Sequence, residues 1–181
     1  RFSKNGERIV IGAAPKQAAK DTTIIDFEMA KLDIWHWKDP LIQPQQLVEL
    51  RHEQSRTYTG IIDPKKPNAF LSVATEEMPF CSIANENNGR FALLGSDRPY
   101  RLETQWDVSP RFDTWTYDFE TDRLQPVARA MGGRPTLSSQ GNYTIWWDAA
   151  QRHWFAFDNH ARTTVNLTKD IGVNFWNEEH N

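Results

Sequence analysis

A supersecondary unit that recurs three times constrains this chain more than any other feature. Its third copy is the clearest. Thr136-Leu137 leads into a Gln140-Gly141-Asn142 turn, and residues 143–147 (Tyr-Thr-Ile-Trp-Trp) follow as a strand. A hairpin at 148–152, a strand at 153–157, a turn at 158–162 and a strand at 163–167 complete four short antiparallel strands. The second copy runs from residue 80 through the Asn87-Asn88-Gly89 turn to strands at 90–94, 114–118 and 124–128. The first opens with Phe2-Ser3, the Asn5-Gly6 turn and a strand over 7–11, and closes with strands at 58–62 and 69–73. A strand-like run from Val173 to Trp176 begins a fourth.

The spacings support the repeat. Gly89 and Gly141 are 52 residues apart, while Asp118 and Asp158 are 40 apart and Asp63 and Asp118 are 55 apart. Propeller blades recur at about 40–50 residues. Gly6 and Gly89 are 83 apart, so the first copy carries an insertion of about 40 residues at 14–56. That insertion is polar, holds Trp35-His36-Trp37-Lys38-Asp39-Pro40, and ends in a helix-like stretch over 45–51. The expected fold is all-β: a partial β-propeller of three four-stranded antiparallel blades plus the start of a fourth, with one partly helical insertion. All of 1–181 then belongs to a single propeller domain. Blade one covers 1–75, blade two 78–130, blade three 134–168, and the start of blade four 172–181. Consecutive meanders in a sandwich are the competing arrangement. Both ends read as internal to a longer chain, because a strand-turn pattern is already under way at Arg1 and another begins near Asn181.

Charge and composition narrow the function. Lys plus Arg is 21 and Asp plus Glu is 24, a net charge of −3, so the chain lacks the positive field that phosphate backbones require and no nucleic-acid partner is expected. No apolar run approaches the ~18 residues of a membrane span, so no membrane partner is expected either. Eight Trp, ten Phe and four Tyr suit pleated half-buried strands and equally suit a sugar-binding surface. The single cysteine, Cys81, excludes an internal disulfide and reads as a buried small hydrophobe. Scarce cysteine fits periplasm and cytoplasm alike, which leaves the compartment open.

Motifs for chemistry are weak. No G-x-S-x-G elbow occurs; Ser96 directly follows Gly95, and Ser139 precedes Gln140-Gly141 in a turn, so no catalytic triad is expected. His52-Glu53-Gln54-Ser55-Arg56 starts like the zincin helix but has Arg56 where the second histidine must stand. His153 and His160 fall on different elements, and no metal site or cofactor is expected. Gly132-Gly133-Arg134 reads as a link between blades rather than a phosphate loop. Asn142-Tyr143-Thr144 and Asn166-Leu167-Thr168 fit the short glycosylation sequon. The pairs Glu76-Glu77 and Glu178-Glu179 read as solvated loop charges, with capture of a cationic group as the alternative. Trp35-His36-Trp37, if extended, puts both indoles on one face, as packing for the insertion or as an aromatic platform. Asp97-Arg98-Pro99-Tyr100-Arg101 is a charged turn suited to a ligand contact or a local ion pair. No substrate-binding residue can be assigned.

Taken together, Phe2-Ser3-x-x-Gly6, Asp33-Ile34-Trp35-His36-Trp37-Lys38-Asp39, Gln43-Pro44-x-Gln46, Asp97-x-Pro99-Tyr100-Arg101, His153-Trp154-Phe155-Ala156, Asn166-Leu167-Thr168 and Phe175-Trp176-Asn177-Glu178-Glu179 resemble the propeller part of bacterial prolyl-oligopeptidase-like serine peptidases. The resemblance spans essentially the whole chain, and the Trp-His-Trp-Lys-Asp insertion is its most specific part. It implies a propeller that caps a C-terminal α/β-hydrolase domain, restricts entry and admits short peptides. Ser, Asp and His of the triad would lie in that hydrolase domain, outside these residues, so no catalytic residue carries over and the segment alone is expected to be inert. The implied partners are the hydrolase domain and peptide substrates. The alternative is a stand-alone β-rich module that binds glycan or protein ligands. Exposed blade faces also allow a homodimer.

Overall fold

The repeated strand-turn pattern builds three antiparallel sheets, seen in a computed structural model that describes residues 1–16, 18, 19, 22–25, 27, 28, 32, 34–107 and 109–176. The first sheet contains β1 (Ile9–Ala13), β2 (Tyr58–Asp63) and β3 (Lys66–Ser72), in that order. The second contains β4 (Phe80–Ile83), β5 (Phe91–Ser96), β6 (Arg111–Asp118) and β7 (Arg123–Gly132). The third contains β8 (Thr136–Leu137), β9 (Tyr143–Asp148), β10 (His153–Asp158) and β11 (Thr163–Asn166). One helix, α1 (Gln43–Gln54), lies in the insertion. A second short element, α2 (Ala84–Asn87), is a left-handed turn, with Asn85, Glu86 and Asn87 at φ 51°, 52° and 66°. The fold is mostly β.

Local chemistry explains why the turns recur. In the first copy Ser3 N–H donates to Arg8 O at 2.8 Å, and the Ser3 hydroxyl accepts from Arg8 N–H at 2.9 Å. In the third copy Ser138 N–H donates to Tyr143 O at 2.8 Å, and the Ser138 hydroxyl accepts from Tyr143 N–H at 3.0 Å. Gly6 (φ 72°) and Gly141 (φ 81°) occupy the same left-handed position within these two turns, one that a Cβ would strain. At the opposite end of the sheets, Asp63, Asp118 and Asp158 each accept a hydrogen bond from the backbone N–H two residues on, at 2.8, 3.0 and 2.8 Å. These Asx turns close the outer hairpin of every copy, which is why aspartate recurs there.

The sheets stack in chain order. Ile61 and Val73 of the first copy pack on Ala92 and Leu94 of the second, with Val10, Cys81, Trp115 and Tyr117 around them. Met131 of β7 packs on Trp146 and Phe157 of the third sheet. The matched turns lie side by side, since Lys4 N–H donates to Glu86 O at 3.1 Å and Asn85 N–H to Ser139 O at 3.0 Å. The middle sheet is therefore covered on both faces, and all six residues of β5 are buried. A period-2 strand with one wet face would alternate; β5 reads Phe-Ala-Leu-Leu-Gly-Ser without alternation because both faces are dry. Burying each large apolar side chain in it contributes about 1.5–3 kcal/mol. The two end sheets behave otherwise. Phe70 on one outer face, and Tyr143, Trp154 and Val165 on the other, remain exposed.

Four details depart from the sequence reading. The first sheet has three strands rather than four, because Phe2 forms a single bridge with Ile9. Beside that bridge, Arg1 exchanges hydrogen bonds with Val10 at 2.7 Å each way. Residues 173–176 form no strand; Val173 is exposed, and Trp176 lies against the Arg152 guanidinium at 4.9 Å. Trp35-His36-Trp37 is a loop and turn rather than a strand, closed by the Asp39 carboxylate accepting from His36 N–H at 2.7 Å. The helix begins two residues earlier and ends three later than 45–51, with Pro44 in its first turn, where a missing N–H is harmless. None of its residues is buried.

Candidate functional site

A cleft of about 690 Å³ lies between β7 and the face of the third sheet formed by β9 and β10. Its origin is a break in pairing. Phe112 pairs with Met131 and Thr114 with Ala128, so Arg129 and Ala130 together oppose the single residue Asp113; a second irregularity lies between Thr114 and Trp115. Such bulges bend an edge strand and re-aim its side chains. Pro126, which cannot donate to a ladder, is tolerated because β7 is an edge.

Asp113 holds the bulge. Its buried carboxylate accepts from the Tyr100 hydroxyl at 2.6 Å and from Ala130 N–H at 3.0 Å. Ala130 sits at φ 51°, a left-handed conformation costing an L-residue about 1–2 kcal/mol, which these bonds offset. Burial, and then the hydrogen bond to the Asp113 carboxylate, push the Tyr100 hydroxyl above its ordinary pKa, so it stays a donor.

The cleft has an apolar wall and a charged rim. Trp146 and Phe155 stack with centroids 5.7 Å apart, and Met131 continues the wall. On the rim, Arg111 is shared between Glu103 at 3.4 Å and Asp107 at 3.8 Å, whereas Arg129 faces no carboxylate within salt-bridge distance among the described residues. Asp148 is held by the backbone and side-chain N–H of Gln151 at 2.9 and 3.0 Å. Such a groove suits a short extended chain with an apolar side chain against the indole and polar groups toward the rim.

The residues singled out from sequence fall elsewhere. Cys81 lies in the core between the first two sheets, and burial pushes its thiol up to about 11, which keeps it protonated and unreactive. Ser96 is buried at the end of β5, and Ser139 is exposed in its turn with its carbonyl bonded to Asn85. His52 and Glu53 lie on α1, and Glu53 is engaged by Arg56 in an ion pair. His153 Nδ1 meets the Thr168 hydroxyl at 2.9 Å, while His160 packs edge-on against Phe91 at 4.8 Å. Among the described residues no group of three or more potential metal ligands forms. Gly133 turns the chain at φ 88° between the second and third sheets. The hydroxyls of both sequons are buried: Thr144 bonds Asn159, and Thr168 accepts from Trp154 N–H. Arg98 pairs with Glu76 at 3.2 Å and Arg101 with Asp97 at 3.0 Å, so the charged turn is a local ion-pair cluster and Glu76 a member of it. Glu178-Glu179 and Asp33 lie outside the described residues. Trp35 and Trp37 are 63% and 74% exposed and border a hollow of about 490 Å³ at the start of α1, so they do not pack the insertion inward.

The cleft itself was not singled out from sequence. A signal existed: Pro126 within a strand pattern marks an edge or a bulge. No helix among the described residues is long and apolar enough to cross a membrane.

No protein-family model matches the chain, and no curated protein does. Among solved structures, the crystal structure of TolB from Acinetobacter baumannii superposes on 62% of this chain and 26% of that one, at 9% sequence identity and a TM-score of 0.35. Agreement that loose carries no argument about function. The chain spans about a quarter of the length of the TolB chain it matches.

Proposed function

We propose that this chain is a non-catalytic segment of a β-propeller that gates and orients short peptides for a hydrolase domain of a prolyl-oligopeptidase-like serine peptidase. The observation that supports it is the stack itself. Three sheets from three sequence copies lie face to face in chain order, with matched turns abutting, and the outer faces of the end sheets leave Phe70, Trp154 and Val165 exposed as the next blades of a ring would require. The interior cleft beside Trp146 and Arg129 offers a peptide an apolar wall and a charged rim. The peptidase part of the reading rests on the sequence resemblance.

The test is an immunoblot of source cells with an antibody against this segment, combined with a fluorophosphonate probe. A labelled band several-fold heavier than 21.0 kDa is expected. Peptide hydrolysis and probe labelling by the purified 181-residue chain would overturn the proposal. A second reading, a stand-alone binding module, is favoured by the exposed Trp35 and Trp37 indoles, which form the kind of surface on which sugars stack. It predicts a native band at 21.0 kDa and a glycan-array response that is lost in the Trp37→Ala variant.

A further inference from the structure

A separate, smaller cavity of about 110 Å³ lies against the middle sheet, on the face turned toward the third. Phe80, Leu93, Phe112 and Pro135 give it apolar walls. Two polar groups stand out. The hydroxyl of Thr114 is buried, with the residue only 1% exposed, and has no hydrogen-bond partner among the described residues. The Arg134 guanidinium lies over the Phe80 ring at 4.3 Å and the Phe112 ring at 5.8 Å; it has no carboxylate within salt-bridge distance among the described residues and remains exposed to solvent.

Buried polar groups are nearly always satisfied, and an unmade bond to a buried hydroxyl is unfavourable. A guanidinium already stacked on aromatic rings keeps its in-plane N–H fork free for a carboxylate. We infer that this cavity is a binding site for a short hydroxycarboxylate: the carboxylate on Arg134 at the mouth, the aliphatic part against Phe80 and Phe112, and the hydroxyl on Thr114. Size agrees. A dry cavity of about 150 Å³ takes the six carbons of benzene, so about 110 Å³ takes roughly four heavy atoms. In 3-hydroxybutyrate, three carbons and one hydroxyl oxygen remain once the carboxylate is placed outside. A peptide ending in threonine presents the same chemistry, with four atoms from Cα outward. The inference does not depend on the chain being part of a peptidase.

The test is a titration of the ¹⁵N-labelled chain, followed by NMR, with 3-hydroxybutyrate, butyrate and 3-hydroxybutyramide. Saturable shifts at the Leu93, Phe112 and Thr114 amides are expected with 3-hydroxybutyrate, and binding about tenfold or more weaker with the other two probes, each of which lacks one anchor. Arg134→Gln, at an exposed position, is expected to weaken 3-hydroxybutyrate about tenfold. Thr114→Val keeps the shape and is expected to erase the preference over butyrate; a thermal melt of each variant establishes that it is folded. Acetyl-Gly-Gly-Thr as free acid and as amide separates the two sources. Binding of the acid in addition to 3-hydroxybutyrate assigns the site to a peptide C-terminus, and binding of 3-hydroxybutyrate alone assigns it to a free metabolite. The inference is overturned by the absence of saturable shifts at about 20 mM probe, a concentration well above what millimolar binding would need. Equal binding of butyrate and 3-hydroxybutyrate, or an unchanged response in folded Arg134→Gln, would overturn it as well.

Discussion

Removing the Asp113 carboxylate should open the bulge that shapes the large cleft. In Asp113→Ala the Tyr100 hydroxyl and Ala130 N–H both lose their acceptor. A hydrogen bond to a charged group contributes about 1.5–3 kcal/mol, so the two together amount to about 3–6 kcal/mol. Tyr100 is only half-buried and Ala130 is exposed, so water recovers part of this, and a net loss of about 2–4 kcal/mol is expected. With a urea dependence of about 2 kcal/mol per molar, the unfolding midpoint should fall by about 1–2 M. Asp113→Asn can keep the oxygen that accepts both bonds but removes its charge, and should lose roughly half as much. Ala130→Gly tests the other half of the argument. Relief of about 1–2 kcal/mol of left-handed strain outweighs about 0.4–1 kcal/mol of added chain entropy, so this variant should be slightly more stable. Hydrogen exchange at the Ala130 amide reports the bond directly and should quicken in Asp113→Ala. A midpoint within about 0.3 M of wild type, with exchange at Ala130 unchanged, would refute the reasoning.

Other consequences follow from the core and from single charged groups. Leu94→Ala, at the centre of the doubly covered strand, should lose about 2–5 kcal/mol in urea unfolding. Cys81, with its thiol raised to about 11, should react with a disulfide reagent at pH 8 at least about a hundredfold more slowly in the native chain than in urea. The Asp118 carboxylate is held far below its usual range, first by the Arg90 guanidinium and then by the Glu120 N–H and the Thr121 hydroxyl. Its contribution to stability is therefore complete above the unfolded value of about 3.9 and is lost as the pH falls further toward the folded one, so thermal melts of Asp118→Asn should show a shallower acid limb below about pH 4.

The strands and turns of this protein were legible in its sequence because they are local. Gly6 and Gly141 mark left-handed turns, Asp63, Asp118 and Asp158 mark Asx turns, and the apolar stretches between them are too short for anything but strands. The copy spacing even exposed the insertion. Where a reading depended on what lies across from a segment, sequence was insufficient. Val173-Asn174-Phe175-Trp176 has strand composition but pairs with no described strand, and Trp35-His36-Trp37 has strand alternation but is bent by the Asp39 carboxylate. Both sites also depend on distant parts of the chain. Asp113 meets Ala130 only because β6 and β7 slip by a residue, and Thr114 and Arg134 border one cavity only because separate parts of the chain are brought together there. Propensity and turn chemistry act over a few residues and are written in order along the chain. Bulges, clefts and unpartnered hydroxyls arise from how separate elements fit together, and only the tertiary structure decides that fit.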